Sequence, residues 1–294
     1  MTFSRRDFLK TTPLMPMAFS GALQQKKEVP QRLKLSCNLY SFNNPLRKGE
    51  MTLEEVFAFC SDVGFAAVDP TGYYFPGYPA VPSDAYIFEL KRTAFLLGLD
   101  ISGTGIRTDF SVSDAQKRAA DVELVRQWVE VAAKLDAPVL RVFAGKGVPK
   151  GFSEKEVLDW VVESLQQCVA YGEQHGVMIV LQNHNELLKT VDQVLYIRQK
   201  IDSKWLGINL DIGSLRAGDP YEGIARLAPY AYTWQIKEKI YRTGKEEVPD
   251  LKRLMELIIK SGYRGYIPIE TLDGDPRVQV PRFLAEVQLA MSSS

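Results

Sequence analysis

Histidine is scarce in this chain, with two in 294 residues, beside three cysteines and no surplus of either charge at 36 Lys+Arg against 36 Asp+Glu. Each shortage excludes something. Two histidines cannot build a histidine-rich metal centre. Cys37, Cys60 and Cys168 show no C-x-x-C spacing, which excludes a disulfide framework and a thiolate zinc site. Cys37 and Cys60 read as small apolar fillers. A balanced charge leaves no electrostatic footprint for nucleic acid. Any metal held here must be held mostly by oxygen. What the chain has in quantity is core material: 46% hydrophobic and 11% aromatic residues, enough for a large buried interior. Its length admits one large α/β domain or two ordinary ones.

The first thirty residues read as an address. Ser4-Arg5-Arg6-Asp7-Phe8-Leu9-Lys10 closely resembles the twin-arginine export signal. A mildly apolar stretch follows, Thr11 to Ala18, interrupted by Pro13 and Pro16, and a small-residue site allows cleavage after Ala22. Two prolines so close argue against a stable helix, and the stretch is too short to remain as a membrane span. Removing residues 1–22 takes away Arg5, Arg6, Lys10 and Asp7, leaving 33 basic and 35 acidic groups. The expectation is an exported, periplasmic protein with no stable membrane span. Residues 23–31 read as a polar linker.

From residue 32 a short apolar run alternates with a longer helical pattern. The runs are 33–39, 65–69, 100–103, 138–143, 177–182, 206–211, 232–237 and 266–271. Their starts are spaced as strand-plus-helix units are. The segments between them, among them 53–60, 122–135, 157–171 and 251–259, place apolar groups on one helix face. Thr52 and Ser153 are N-cap candidates, while Gly64, Gly98, Gly176 and Gly262 stand where helices should stop. His175 reads as a helix C-terminal cap and nothing more. No strand runs into G-x-G-x-x-G, which argues against a doubly wound sheet. Eight βα units over residues 32–294 predict a single-domain (β/α)8 TIM barrel.

Such barrels carry their chemistry at the C-terminal strand ends. The polar residues there are Asp69, then Arg107 and Asp109, Arg141, Gln182-Asn183-His184-Asn185-Glu186, Asp211, Gln235-Ile-Lys237 and Glu270. In this order they resemble the xylose-isomerase-like sugar phosphate isomerase/epimerase superfamily, across the whole mature chain. Its members show patterns similar to E-N-H on strand five, L-D-x-G-H on six, H-x-K-D on seven and a glutamate on eight. The resemblance implies a divalent metal held by Glu, Asp, His and Glu, with the two glutamates exchanging protons with a sugar. Those four slots fall on Gln182, Asp211, Gln235 and Glu270. Asn183, His184, Gly213 and Lys237 fit the pattern; Gln182, Gln235 and Ser214 depart from it.

Two carboxylates and two amide carbonyls make an all-oxygen set suited to Mn²⁺ or Mg²⁺, weakly held or absent, since the charge offers no excess over a dication. The expected reaction is metal-assisted proton abstraction beside a carbonyl of a sugar or keto-sugar, with Glu270 as base. Gln182 cannot titrate, so His184, Glu186 and Lys237 are candidates for a second proton carrier. Exported relatives resemble enzymes that cleave 3-keto-glycosides by β-elimination, and a lyase has less need of a second glutamate. A non-catalytic carbohydrate-binding barrel is the remaining alternative. Asp211 and Glu270 end apolar strands and need a cationic partner, either a metal or Arg141 or Lys237. Arg141 points into the barrel, to bind substrate oxygens or to pair with Asp69. Arg107, Asp109 and Asn183 are expected to bind substrate. Tyr73 and Tyr74, in a ring-rich segment, either stack on a sugar face or form a lid. The partner expected is a small carbohydrate; monomer and homo-oligomer stay open.

Overall fold

The computed structural model describes residues 33–293, so the expected signal peptide (1–22) and linker (23–31) lie outside the described residues. The strands are β1 (Lys34–Asn38), β2 (Ala67–Asp69), β3 (Asp100–Ile101), β4 (Thr104–Gly105), β5 (Val139–Phe143), β6 (Met178–Gln182), β7 (Leu206–Asp211), β8 (Ala231–Lys237) and β11 (Tyr266–Glu270). They pair in the order β3-β2-β1-β11-β8-β7-β6-β5-β4, all parallel. β3 and β4 are two pieces of one strand position: β2 pairs with the first and β5 with the second. The ring is therefore the eight-position barrel that the alternation predicts. The second apolar run is shorter as a strand than expected, starting at Ala67, and the third stops at Ile101 before resuming at Thr104.

Helices α1 (Asn43–Lys48), α2 (Leu53–Asp62), α3 (Asp84–Leu96), α4 (Ala115–Lys134), α5 (Glu154–Gln174), α6 (Val191–Lys200), α7 (Pro220–Leu227), α8 (Leu251–Lys260) and α9 (Pro276–Ser292) occupy the connections. Helices cover the outside and side chains fill the inside, so each strand reads as a nearly unbroken apolar run. Leu140, Val142, Leu181, Ile208, Leu210 and Ile267 are fully buried. The predicted punctuation is in place. Thr52 and Ser153 each close a capping box, with Glu55 and Glu156 respectively. Gly64, Gly98, Gly176 and Gly262 take φ of 94, 70, 70 and 81° at helix ends. Cys37 and Cys60 are buried among apolar neighbours, and His175 caps the end of α5.

One feature of the rim goes beyond the sequence reading. After β8 the chain makes a small hairpin, β9 (Ile240–Arg242) and β10 (Lys245–Glu247). Its two-residue turn, Thr243-Gly244, holds both φ angles positive at 48 and 79°, as a primed turn requires. Arg242 pins it by pairing with Asp219 and, at 3.0 Å, with Glu247. No helix among the described residues is long and apolar enough to cross a membrane.

Candidate active site

Strand register brings the polar strand ends to one level. Gln182 on β6 stands beside Asn209 on β7, Asp211 beside Gln235 on β8, and Lys237 beside Glu270 on β11. All of them face a cavity of about 270 Å³ at the barrel mouth or lie directly beneath it. Gln182, Gln235, Lys237 and Glu270 line it, with Arg107, Arg141, Tyr73 and His184. This volume is at the small end of ligand pockets.

Asp211 is the anchor of the floor. It is fully buried, and its Oδ2 accepts from Gln182 Nε2 (2.8 Å), Ser214 Oγ (2.7 Å) and Lys237 Nζ (2.8 Å). Oδ1 accepts from the Gly213 amide at 2.9 Å. Asn183 holds the backbone of the same residue, its side chain donating to Asp211 O and accepting from Asp211 N. Burial alone would raise the Asp211 pKa; the Lys237 ammonium and the hydrogen bonds outweigh it and hold the group below its ordinary value.

Glu270 behaves oppositely. It is 2% exposed, with Oε1 3.2 Å from Lys237 Nζ and Oε2 accepting from Gln235 Nε2. Burial pushes its pKa above the ordinary value, helped by the Asp211 charge and opposed by Lys237 and Arg141. A carboxylate poised upward at a cavity wall is what a general base needs. Lys237 is raised despite burial, because it faces both acids. Gly213 makes room for it: a Cβ there would lie 2.8 Å from Lys237 Cδ and 3.1 Å from Lys239 O.

Across the mouth, Arg141 donates to Asp69 at 2.6 Å, both almost fully buried, and also lines the cavity. Of the two roles considered for Arg141, the pairing with Asp69 is the one seen here. Gly105 gives the guanidinium its space, since a Cβ would come within 2.9 Å of three of its atoms. Arg107 reaches Glu186 at 3.2 Å through both carboxylate oxygens and lies over the Phe143 ring. His184 packs edge-on to Phe143, its Nδ1 3.2 Å from Glu186 without an aligned hydrogen bond. Burial lowers its pKa, as do Lys237 and Arg107, against the pull of Asp211 and Glu186.

Three expected substrate contacts do not line this cavity. Asp109 is committed to holding its own loop to the one after β5, accepting from Ser111 and from the Lys146 amide. Asn183 is committed to the Asp211 backbone. Tyr74 bonds Asn43 and lines an adjoining cleft that shares Tyr40, Tyr73 and Arg107 with the first. Tyr73 sits edge-on to Tyr40, Tyr74 and Tyr78, a ring cluster at the junction of the two spaces. Asn185, among the strand-end residues, also lines the cavity, as do Tyr40, Phe143, Arg216, Tyr241 and Leu272, unforeseen from sequence. Tyr241 comes from the rim hairpin and stacks 3.5 Å under the Arg216 guanidinium. Tyr40 lies two residues past the end of β1, a signal the strand-end rule could have used; the hairpin residues had none.

Do the four slots implied by the family resemblance fit a divalent ion? Gln235 turns its N–H group to Glu270 and its Oε1 accepts from Asn209 at 3.0 Å. Gln182 likewise turns its N–H to Asp211, leaving Oε1 buried without a partner. An amide oxygen facing a carboxylate would be repelled, so both amides present nitrogen to the space an ion would need. Lys237 already bridges the two acids there. A second cation about 4 Å from an ammonium meets roughly 4 kcal/mol of repulsion per unit charge at an effective dielectric of 20, about twice that for a dication. Among the described residues no group of three or more His, Cys, Asp or Glu is placed to hold a metal. As arranged, the set does not fit a divalent ion.

Comparison with known proteins sets this geometry in context. An uncharacterised protein of Methanocaldococcus jannaschii is 36% identical over 117 residues, 37% of this chain and 40% of that protein, so the match spans well under half of the relative. Among solved structures, D-psicose 3-epimerase of Clostridium cellulolyticum H10 with D-tagatose aligns over 88% of this chain and 99% of its own, at TM-score 0.74 and 17% identity. The E. coli 3-keto-D-glucoside 4-epimerase aligns over 88% and 99%, at TM-score 0.69 and 15% identity. A Mycobacterium smegmatis barrel in complex with magnesium aligns over 88% and 97%, at TM-score 0.67 and 18% identity. At such identities these structures establish the shared fold. The xylose isomerase-like TIM barrel pattern matches residues 57–287, and the chain belongs to that family.

Proposed function

We propose that this protein is an enzyme that removes a proton from the carbon next to a carbonyl of a sugar or keto-sugar, with Glu270 as the base. The observation that carries this is the cavity-lining carboxylate, single among the described residues, buried, raised in pKa and held 3.2 Å from an ammonium. A D-psicose 3-epimerase and a 3-keto-D-glucoside 4-epimerase on the same fold support a carbohydrate substrate. His184, which lines the same cavity, is the candidate for a second proton carrier, and Arg141 and Arg107 on its walls would bind sugar oxygens.

A specific feature favours a second reading, β-elimination from a 3-keto-glycoside. Asp211 is saturated by four donors and Gln182 cannot titrate, so Glu270 has no opposing carboxylate in the cavity. Inversion at carbon calls for proton carriers on two faces; elimination needs one base and a leaving group. The adjoining tyrosine-lined cleft offers that group a place. The Arg5-Arg6 motif makes the periplasm the proposed site of action.

Incubation in D₂O with a panel of free ketoses, aldoses and 3-keto-glycosides tests the assignment by NMR. Deuterium should enter next to the carbonyl of one class, or a glycosidic bond should break, and Glu270→Gln should abolish either. No exchange or cleavage in any member, or full activity in the variant, would sink it.

A further inference from the structure

The family pattern implies a dication between strand-end carboxylates; in this chain, where Gln182 and Gln235 stand at two of the ligand slots, the lysine that the pattern also carries spans that space. We propose that the Lys237 ammonium is the resident cation of this site and takes the part of the metal. Three independent features support the assignment. Its Nζ lies 2.8 Å from Asp211 and 3.2 Å from Glu270, bridging β7 and β11 from the strand between them. Its stem is held, with the side chain 12% exposed and passing Gly213 where no Cβ would fit, so this is not a surface lysine that swings aside. Both glutamines at the altered slots turn N–H groups toward the acids, completing a donor set around carboxylates rather than an acceptor set around an ion.

The catalytic half of the inference rests on the function proposed above; the cation half rests on geometry alone. Glu270 takes the proton from the carbon beside the carbonyl, the C–H electron pair forms the C=C bond, and the carbonyl π pair moves onto oxygen. Lys237 donates a hydrogen bond to that oxygen as its negative charge grows. Glu270 then returns the proton to carbon; in elimination the enolate oxygen pair re-forms the C=O, the C=C pair forms a new double bond to the β-carbon, and the C–O bond to the β-substituent breaks, its departing oxygen taking the proton from Glu270. No oxidant or reductant is needed.

The test uses the whole chain, expressed with added Mn²⁺ and assayed for bound metal, for Mn²⁺ binding by EPR, and for melting temperature with Mn²⁺ or EDTA. Wild type should carry less than a tenth of an equivalent of divalent metal and melt at the same temperature in both. Lys237→Met removes the internal cation and should gain Mn²⁺-dependent stabilisation of several degrees. Near-stoichiometric metal in wild type, with EDTA lowering its melting temperature, would overturn the proposal, as would a folded Lys237→Met indifferent to Mn²⁺. Should that variant not fold, the wild-type measurements decide alone. These readouts need no substrate, so they fail separately from the functional assignment. Where the D₂O assay finds a substrate, wild-type exchange should survive EDTA, and Lys237→Met should lose most of kcat.

Discussion

Asp211 and Glu270 are two buried acids sharing one lysine, yet they ionise in opposite directions because their partners differ. Asp211 has four donors and sits below its ordinary pKa; Glu270 has fewer and a like charge nearby, and sits above. As base, Glu270 must be ionised, so the acid limb of kcat/KM should lie above the usual glutamate value of about 4.3. Stability follows the same signs. Between the unfolded and native pKa of Glu270 the native state holds more protons, so its ionisation lowers stability as pH rises through that window. The Asp211 contribution is present above the ordinary aspartate value and is lost as pH falls through its lower native one. Urea midpoints across pH should show the decline flattened in Glu270→Gln; an unchanged profile would contradict the assignment. Glu270→Gln should also cost at least about 10² to 10⁴ in turnover, the usual worth of a general base. At the opposite wall, Arg141→Met strands Asp69 in the core and should cost about 3–5 kcal/mol in urea unfolding, with Asp69→Asn in the same chain recovering part of it.

At the scale of elements, each strand end is aimed by what precedes and follows it. Helix α5 begins with Ser153 and Glu156 bonding each other's backbone, at 3.3 and 2.8 Å, which fixes where the loop after β5 ends. Ser153→Ala should lower stability by about 1 kcal/mol without changing KM, measurable by urea unfolding and steady-state kinetics. The apolar runs were readable because a parallel strand covered by helices is apolar on both faces. The break between β3 and β4 was not, since no residue type marks a strand that changes partner midway. The β9–β10 hairpin was equally hidden: Thr-Gly is a weaker turn signal than Asn-Gly, and the flanking segments are charged.

At the scale of the whole molecule, the barrel and the proposed export signal are tested separately. A reporter fused behind residues 1–31 should reach the periplasm through the twin-arginine route, and Arg5→Lys with Arg6→Lys should block it; export of the double variant would refute the address. Within the barrel, the strand-end rule located Gln182, Asp211, Gln235, Lys237 and Glu270 from sequence alone, because alternation along a strand and the direction of the barrel are local properties. The choice between a metal and an internal lysine as partner to the buried acids was open in sequence. It depends on the β7–β8–β11 register and on the gap left by Gly213, neither of which is local. The joining of Arg216 to Tyr241, and of Asn209 to Gln235, likewise came only with packing.

Sequence by itself determined the barrel, the level at which the site lies and the two departures from the family's ligand set, because periodicity and residue type carry that information along the chain. Tertiary structure decided which way the two amides face and set Lys237 between the two carboxylates. Those are questions of a few ångströms between different strands, settled by hydrogen-bond geometry and charge in a buried space.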